Sequence, residues 1–551
     1  MGLMLIAPPF AALAADQVNP PNAGTILQQA QPVKPAVPAS SGTGLTIQTE
    51  NGAKLPPSAP FSVKNIQITG NTAFTTAALH ALVADAEGKS LTLEQFGAVV
   101  ARITDYYHRH DYPLARAVIP AQTIKDGIVQ VTVIEARYGK VNLDNRSRAG
   151  TGLVQQTLSS LQPGQMVEQK SLDHALLLVS DIPGVASVAT LKPGDAVGTS
   201  DLQVQTNATA PVTGSAAIDN YGDRYTGRAR FGGTVNFIEP FHHGDDLSLN
   251  VLTAGSDMNY GSLSYETLLN GLGTRVGASF AALHYSLGDT LEQLDAHGTA
   301  QVASAWIRQP FVRTGDYNFY AQLRYDHQKL DDDIDATDLK TDRHLDNWTL
   351  SLNGDWRDAA LSGGQGTWSL GVTRGRVDFD NAAAQLADSV TARTDGGFTK
   401  WNGTLAHLLN LTPDNQLYLT VSGQWTNGNL DASQKMVAGG PYTVRAYDID
   451  AVSGDTGILG SLELRHALAR ILDGRLQVLG FVDGQRVMVN KNPWVTGVNS
   501  ANLSGGGLGL QWADAHQWLV RCYVAAPFGS TPVLIGTDHS VRVWAEIDKG
   551  F

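Results

Sequence analysis

Cysteine is almost missing: the 551 residues hold one, Cys522. A disulfide framework and a cysteine-based metal site within one chain are thereby excluded. Scarce thiols suit an oxidising compartment, where stray ones would cross-link. Long apolar runs are missing too. No stretch reaches the ~18 consecutive apolar residues of a membrane-spanning helix, which argues against a helical inner-membrane protein. There is no basic excess either: 39 Lys and Arg face 52 Asp and Glu, a formal charge of −13. A nucleic-acid binder should carry a basic face, so nucleic acid is not an expected partner. Chemistry is equally hard to find. The chain has no GxxxxGK[ST] loop, no GxSxG elbow and no HExxH pair. His108 and His110 are two apart, which does not place them on one helix face. His242 and His243 precede a Gly244-Asp245 turn. Both pairs read as solvated surface. No catalytic residue, cofactor or metal is expected. A hydrolase built from distant Ser, His and acid residues is the enzymatic reading that spacing does not test.

What is present is organised in blocks. Met1 to Ala15 form an apolar run ending in Ala12-Leu13-Ala14, a small-x-small pattern before Asp16. This reads as a secretory signal peptide over residues 1–15. The usual basic residues before the apolar run are missing, which puts the expected translation start upstream of Met1. Residues 16–60 are polar, with Pro32, Pro35, Pro38, Pro56, Pro57 and Pro60, and read as an extended linker. Within them Ala23 to Ala30 suits two turns of helix. Such a helix is too short to persist alone in water and needs a surface to dock on.

Beyond residue 60 the pattern becomes mixed. Phe61, Val63, Ile66 and Ile68 start a strand. Ala77 to Ala84 and Leu93 to Tyr107 are helical, the latter with Phe96, Val99, Val100, Ile103 and Tyr107 on one face. Strands follow at 115–119 and 128–134. The order strand, helix, helix, strand, strand repeats through 140–143, 152–158, 171–179, 185–191 and 201–205. From about 212 onward, strand after strand alternates. Leu417, Leu419, Val421 and Trp425 oppose Gln416, Tyr418, Thr420, Ser422 and Gln424. Phe319, Ala321, Leu323 and Tyr325 oppose Asn318, Tyr320, Gln322, Arg324 and Asp326. Val541, Val543, Ala545 and Ile547 close the series. Bulky charged and amide groups on the polar face, with Trp and Tyr near strand ends, favour a membrane barrel over a soluble sandwich.

The most informative stretch is Gly439-Gly440-Pro441-Tyr442-Thr443-Val444-Arg445-Ala446-Tyr447, followed by Gly454-Asp455 and Glu463-Leu464-Arg465. On composition alone a loop arginine is exposed. If the loop instead folds into a wet lumen, Arg445 needs a carboxylate, and Asp483 in Phe481-Val482-Asp483 is a candidate on a following strand.

These residues resemble the loop signature of the Omp85 superfamily. They are most similar to the two-partner secretion transporters (TpsB), the ShlB/FhaC/HecB-type haemolysin and haemagglutinin exporters. Ala115 to Gln122, Asp126-Gly127 and Val133-Ile134-Glu135 resemble a first ShlB-type POTRA domain. Gly198 to Leu202 resembles the end of a second. Asp219 to Gly222 and Arg224 to Gly227 resemble the first barrel strands, and terminal Phe551 a barrel-assembly signal. The resemblance implies an outer-membrane β-barrel of 16 antiparallel strands over 210–551. It implies two βααββ POTRA domains in the periplasm, over 61–137 and 138–209, and a plug helix with its linker in 16–60. It implies that Arg445 and Asp483 pair inside the barrel. The implied partners are a large secreted protein of filamentous haemagglutinin or haemolysin type, outer-membrane lipid, and the barrel-assembly machinery during biogenesis. The implied function is export of that partner, unfolded, through the pore. An insertase that assembles other barrels is the competing expectation; it should have more POTRA units and an unsealed seam. A passive porin needs neither POTRA repeats nor an arginine loop of this type. One departure stands out: the family's loop reads Val-Arg-Gly-Tyr, and here Ala446 replaces the glycine. If that position requires positive φ, alanine there costs ~1 kcal/mol.

Overall fold

The computed structural model describes residues 20–31, 42–48, 56–530, 532–536 and 540–551. The expected signal peptide and parts of the linker lie outside them. The first α+β unit runs through strand Asn65–Thr69, helices Thr76–Ala81 and Leu93–Arg109, and strands Arg116–Val118 and Ile128–Ile134. The long helix begins where Thr92 and Gln95 cap each other reciprocally. Its buried face is Phe96, Val99, Val100, Ile103 and Tyr107, the set its periodicity predicts. The shorter helix stops at Ala81 and gives way to a 3₁₀ turn at Ala84–Ala86. Glu135 pins the first strand's exit, accepting from the Thr72 amide at 2.7 Å, the Ala73 amide at 2.8 Å and the Tyr107 hydroxyl at 2.8 Å. Burial pushes its carboxyl up. The amides and hydroxyls outweigh that and hold it below the usual range.

The second unit repeats the order with strand Arg137–Arg146, helices Thr151–Thr157 and Gln169–Ser180, and strands Val185–Pro193 and Thr199–Ala208. A linker segment, Leu45–Ile47, joins the sheet edge and pairs in parallel with Ala189 to Leu191. Helix Gln169–Ser180 buries Leu176, Leu177, Leu178 and Val179 in succession. An ordinary surface helix has one apolar stripe. This one has two apolar sides, because one packs on its own sheet and the other on the barrel. Leu178 lies beside Gly273 and Pro310 of the barrel. Arg313, fully buried, donates bidentately to Asp181 just past the helix end, at 2.6 and 2.8 Å.

Sixteen antiparallel strands close into a barrel. The first, Val212–Asp219, pairs with the last, Arg542–Gly550, from Ser215↔Gly550 to Asp219↔Glu546. Phe551 extends the seam, exchanging backbone hydrogen bonds with Gly214 at 2.9 and 3.0 Å. The alternation resolves into two environments. Leu419, Trp425, Val543 and Ile547 face outward, while Gln424 and Arg343 are buried inside. Strands lengthen from 8 residues in the first to 20 in the eighth, Leu339–Asp358, so one side of the wall stands taller.

Candidate functional site

The loop over residues 427–455 leaves the eleventh barrel strand, Asn415–Thr426, and turns back into the lumen. A short hairpin, Met436–Ala438 against Val452–Gly454, forms its stem. Gly439 and Gly440 start the tip at φ +99° and +107°. A Cβ on Gly439 would lie 2.2 Å from the Asp448 carbonyl, so this turn excludes any side chain. The Tyr447 amide donates to the Val444 carbonyl at 3.1 Å, closing a tight turn at the tip.

The tip is buried. Arg445 is 4% exposed, which overturns the expectation from composition of a solvated loop arginine. Its Nε and Nη2 donate to the two Asp483 oxygens at 2.9 and 2.7 Å, and its amide to Oδ2 at 3.2 Å. Nη1 donates to Glu463 at 2.6 Å, and Nη2 to the Ser461 hydroxyl at 3.2 Å. The guanidinium lies over the Phe481 ring, 3.5 Å from its centroid. The Trp544 indole, on the last strand, donates to the Arg445 carbonyl at 2.7 Å. This arrangement satisfies a planar cation in a pocket that would otherwise penalise it heavily. Ser461 and Trp544 escape a motif-based reading, and Glu463, though within the signature, is not marked by it as a partner of Arg445. Register places Ser461 and Glu463 at the site, because Ser461 pairs with Asp483 and Glu463 with Phe481 on adjacent strands.

Ala446 has no positive φ, so the expected backbone penalty does not arise. Its methyl sits on Gly505, the residue paired with Asp483 on the next strand. A Cβ on Gly505 would fall 2.3 Å from the Ala446 Cβ and 2.9 Å from the Ala526 carbonyl. Gly505→Ala is therefore expected to unseat the tip, read as faster proteolysis within 439–451. Adding Ala446→Gly should recover part of the protection, since it removes the closer contact only. Equal protection in all three proteins would contradict this.

The other sequence candidates sit elsewhere. Gly454 and Asp455 hold the loop's base rather than its tip. Asp455, fully buried, accepts from the Leu430 amide at 3.1 Å and the Lys491 amide at 2.7 Å, and pairs with Lys435 at 3.0 Å. Phe551 is exposed on the outer wall. His108 and His110 bond to the carbonyls of Ala115 and Tyr106.

Helix Ala23–Ala30 fills the lumen beside this loop. Asn22 caps it, and the Ala23 amide donates to Asp332 on the wall at 2.7 Å. Asp332 also accepts from Arg343, which bridges to Asp431 of the loop at 2.6 Å. At the other end Arg230 donates to the Gln29 carbonyl at 3.1 Å while paired with Asp219. An acid at the helix start and a cation at its end both suit the helix dipole. Among the spaces left beside the helix and loop are cavities of about 560 and 620 Å³.

The heme/hemopexin transporter protein HuxB of Haemophilus influenzae (strain 86-028NP) is 25% identical over 498 residues, 89% of this chain and 87% of that one. The solved structure of CdiB from Escherichia coli superposes with a TM-score of 0.71 at 20% identity, over 93% of this chain and 94% of that one. BamA from Haemophilus ducreyi lacking POTRA domains 1–3 gives 0.50 at 13% identity, over 89% of this chain and 100% of that one. The ShlB-type POTRA domain model matches residues 61–136, and the model described as haemolysin secretion/activation protein ShlB/FhaC/HecB matches 198–512. The chain belongs to the haemolysin secretion/activation protein family, the outer-membrane transporters of two-partner secretion.

Proposed function

We propose that this protein exports one large secreted partner, of filamentous haemagglutinin or haemolysin type, through its own lumen in unfolded form. The observation that carries the reading is a lumen occupied by two elements that are not part of the wall, the docked helix and the Arg445-anchored loop, inside a closed barrel. In this reading Val444 to Tyr447 with Gly439 and Gly440 form the gate, Phe481 and Asp483 its seat, and Gly454 and Asp455 its base. Phe551 is the signal read by the barrel-assembly machinery. Recognition is assigned to the POTRA sheets, because an open strand edge binds extended peptide through backbone bonds and tolerates unfolded cargo. The Val185–Pro193 edge already accepts such a segment, Leu45–Ile47. Folding of the cargo outside would supply direction without nucleotide. An insertase role is disfavoured by the paired seam at Ser215 to Asp219.

The test is secretion of the expected cargo, a large protein encoded by an adjacent gene, with and without the transporter, in cells with intact barrel assembly. Loss from the medium with periplasmic accumulation is expected. Normal export with depletion of other outer-membrane barrels would favour the insertase instead.

A further inference from the structure

The second POTRA unit meets the barrel at periplasmic turns, and one of these buries an acid pair. Glu239 follows the second barrel strand, Arg230–Ile238, at φ +57°. It is 1% exposed, and its carboxyl oxygens have no well-formed hydrogen bond, the Gly244 amide being the nearest donor. Gly184 of the POTRA unit lies against it: a Cβ there would come 2.9 Å from the Glu239 Cγ. Across the turn stands Asp245, fully buried. Asp245 accepts from the Phe241 amide at 3.0 Å, the His243 amide at 2.9 Å and the Tyr265 hydroxyl at 3.2 Å.

The groups around Glu239 fall into two sets. Asp245 opposes its anion. The Gly244 amide and Arg148 of the POTRA unit favour it. Arg148 is partly committed, since it donates to the Ile238 carbonyl at 3.3 Å. Tyr265 on the fourth barrel strand faces Asp245, and the His242 carbonyl accepts from the Gly150 amide of the POTRA unit at 3.1 Å. Two buried carboxyl groups side by side, one held by three donors and the other facing only a poorly placed amide and a partly committed arginine, do not both ionise. Asp245 has the donors, so the proton resides on Glu239. Burial first, and the Asp245 charge second, push the Glu239 carboxyl up to about 7.

We propose that Glu239 is a proton-binding site that holds the second POTRA unit on the barrel when protonated and weakens that hold when ionised. If the unit swings away, Glu239 meets water and returns toward the ordinary glutamate value of 4.5. Between that value and about 7 the docked form keeps a proton that the undocked form has released. Docking is therefore strongest below the lower value, weakens as pH rises between the two, and levels off above the upper one. The separation is large enough for on the order of a hundred-fold change in the docking equilibrium.

The full-length protein tests this in detergent, with Cys522→Ser and spin labels at Ser160→Cys and Asp473→Cys, both exposed positions. Distances are read by pulsed electron resonance from about pH 4 to about pH 8.5, on either side of the window between the two values. One docked distance in acid, with a second population growing toward alkaline pH, is expected. Glu239→Gln, neutral throughout, should keep the docked distance at every pH. A pH-independent distribution in the unsubstituted protein, or a pH response that survives Glu239→Gln, overturns the proposal. Should Glu239→Gln not insert, Glu239→Asn, whose side chain suits positive φ, takes its place with the same two outcomes.

Discussion

Replacing Arg445 by alanine is expected to cut partner secretion at least about tenfold while leaving a folded, inserted barrel. The size of the effect follows from what the guanidinium leaves behind. Asp483 and Glu463 are 4% and 7% exposed, and both accept charged bonds from Arg445. Breaking a buried pair by removing one partner typically costs about 3–5 kcal/mol. Glu463 keeps Arg465, which donates to it at 2.6 Å, so the larger share falls on Asp483. The barrel wall does not depend on these contacts. Ser461↔Asp483 and Asp483↔Gly505 remain paired through backbone. The cost is therefore concentrated on the loop, which leaves its seat. Arg445→Lys should not restore it, because an ammonium cannot reproduce the bidentate geometry. Asp483→Ala should resemble Arg445→Ala, and the double variant should be no worse than either single one, since residues in one network are not additive. The measurements are partner in the medium, barrel folding by gel mobility with and without heating, and loop cleavage by protease. Full secretion by Arg445→Ala with a cleavable loop would show that the lock is dispensable for export.

Much of this architecture is legible from the residues, and the places where it is not have physical causes. The alternation through Tyr317 to Asp326 is clear because outward residues there are apolar. The strand continues to Ile334, but Lys329, Asp331 and Asp333 now occupy the outward positions, and alternation by polarity disappears. The lipid imposed the pattern, and above the lipid nothing does. Leu45–Ile47 is unreadable for a different reason. Three residues in a proline-rich stretch carry no periodicity, and their pairing depends on an edge more than a hundred residues away. The continuous apolar run of helix Gln169–Ser180 reflects a docking against the barrel that local sequence does not announce. At the loop, resemblance pointed to Arg445 and Asp483. The neighbours that complete their environment needed register, and the fit of Ala446 onto Gly505 needed the fold.

Removing residues 23–31 is expected to raise single-channel conductance severalfold, because this segment fills the lumen and makes few bonds that a folded barrel requires. Its anchors identify a point substitution with the same direction. Gly24 lies on Ser433 of the loop so closely that a Cβ would come 2.6 Å from the Ser433 nitrogen and 2.9 Å from its Cα. Backbone cannot yield as a flexible side chain would, so Gly24→Leu should force the helix off its seat. Overpacking of this kind costs about 1–3 kcal/mol. The isolated eight-residue helix has almost no stability of its own to set against that. Losing the seat should therefore unfold the segment as well as displace it. Asp332→Asn tests the other contact. It keeps an acceptor for the Ala23 amide but removes the charge that pairs with Arg343, so it should open the pore less than Gly24→Leu. Planar-bilayer recordings of the purified proteins distinguish these cases. Conductance unchanged by both the deletion and Gly24→Leu would mean that the loop alone closes the lumen, and the helix would then need another role. A rise with the deletion but not with Gly24→Leu would place the closing contact elsewhere along the helix, at Arg230 and the Gln29 carbonyl.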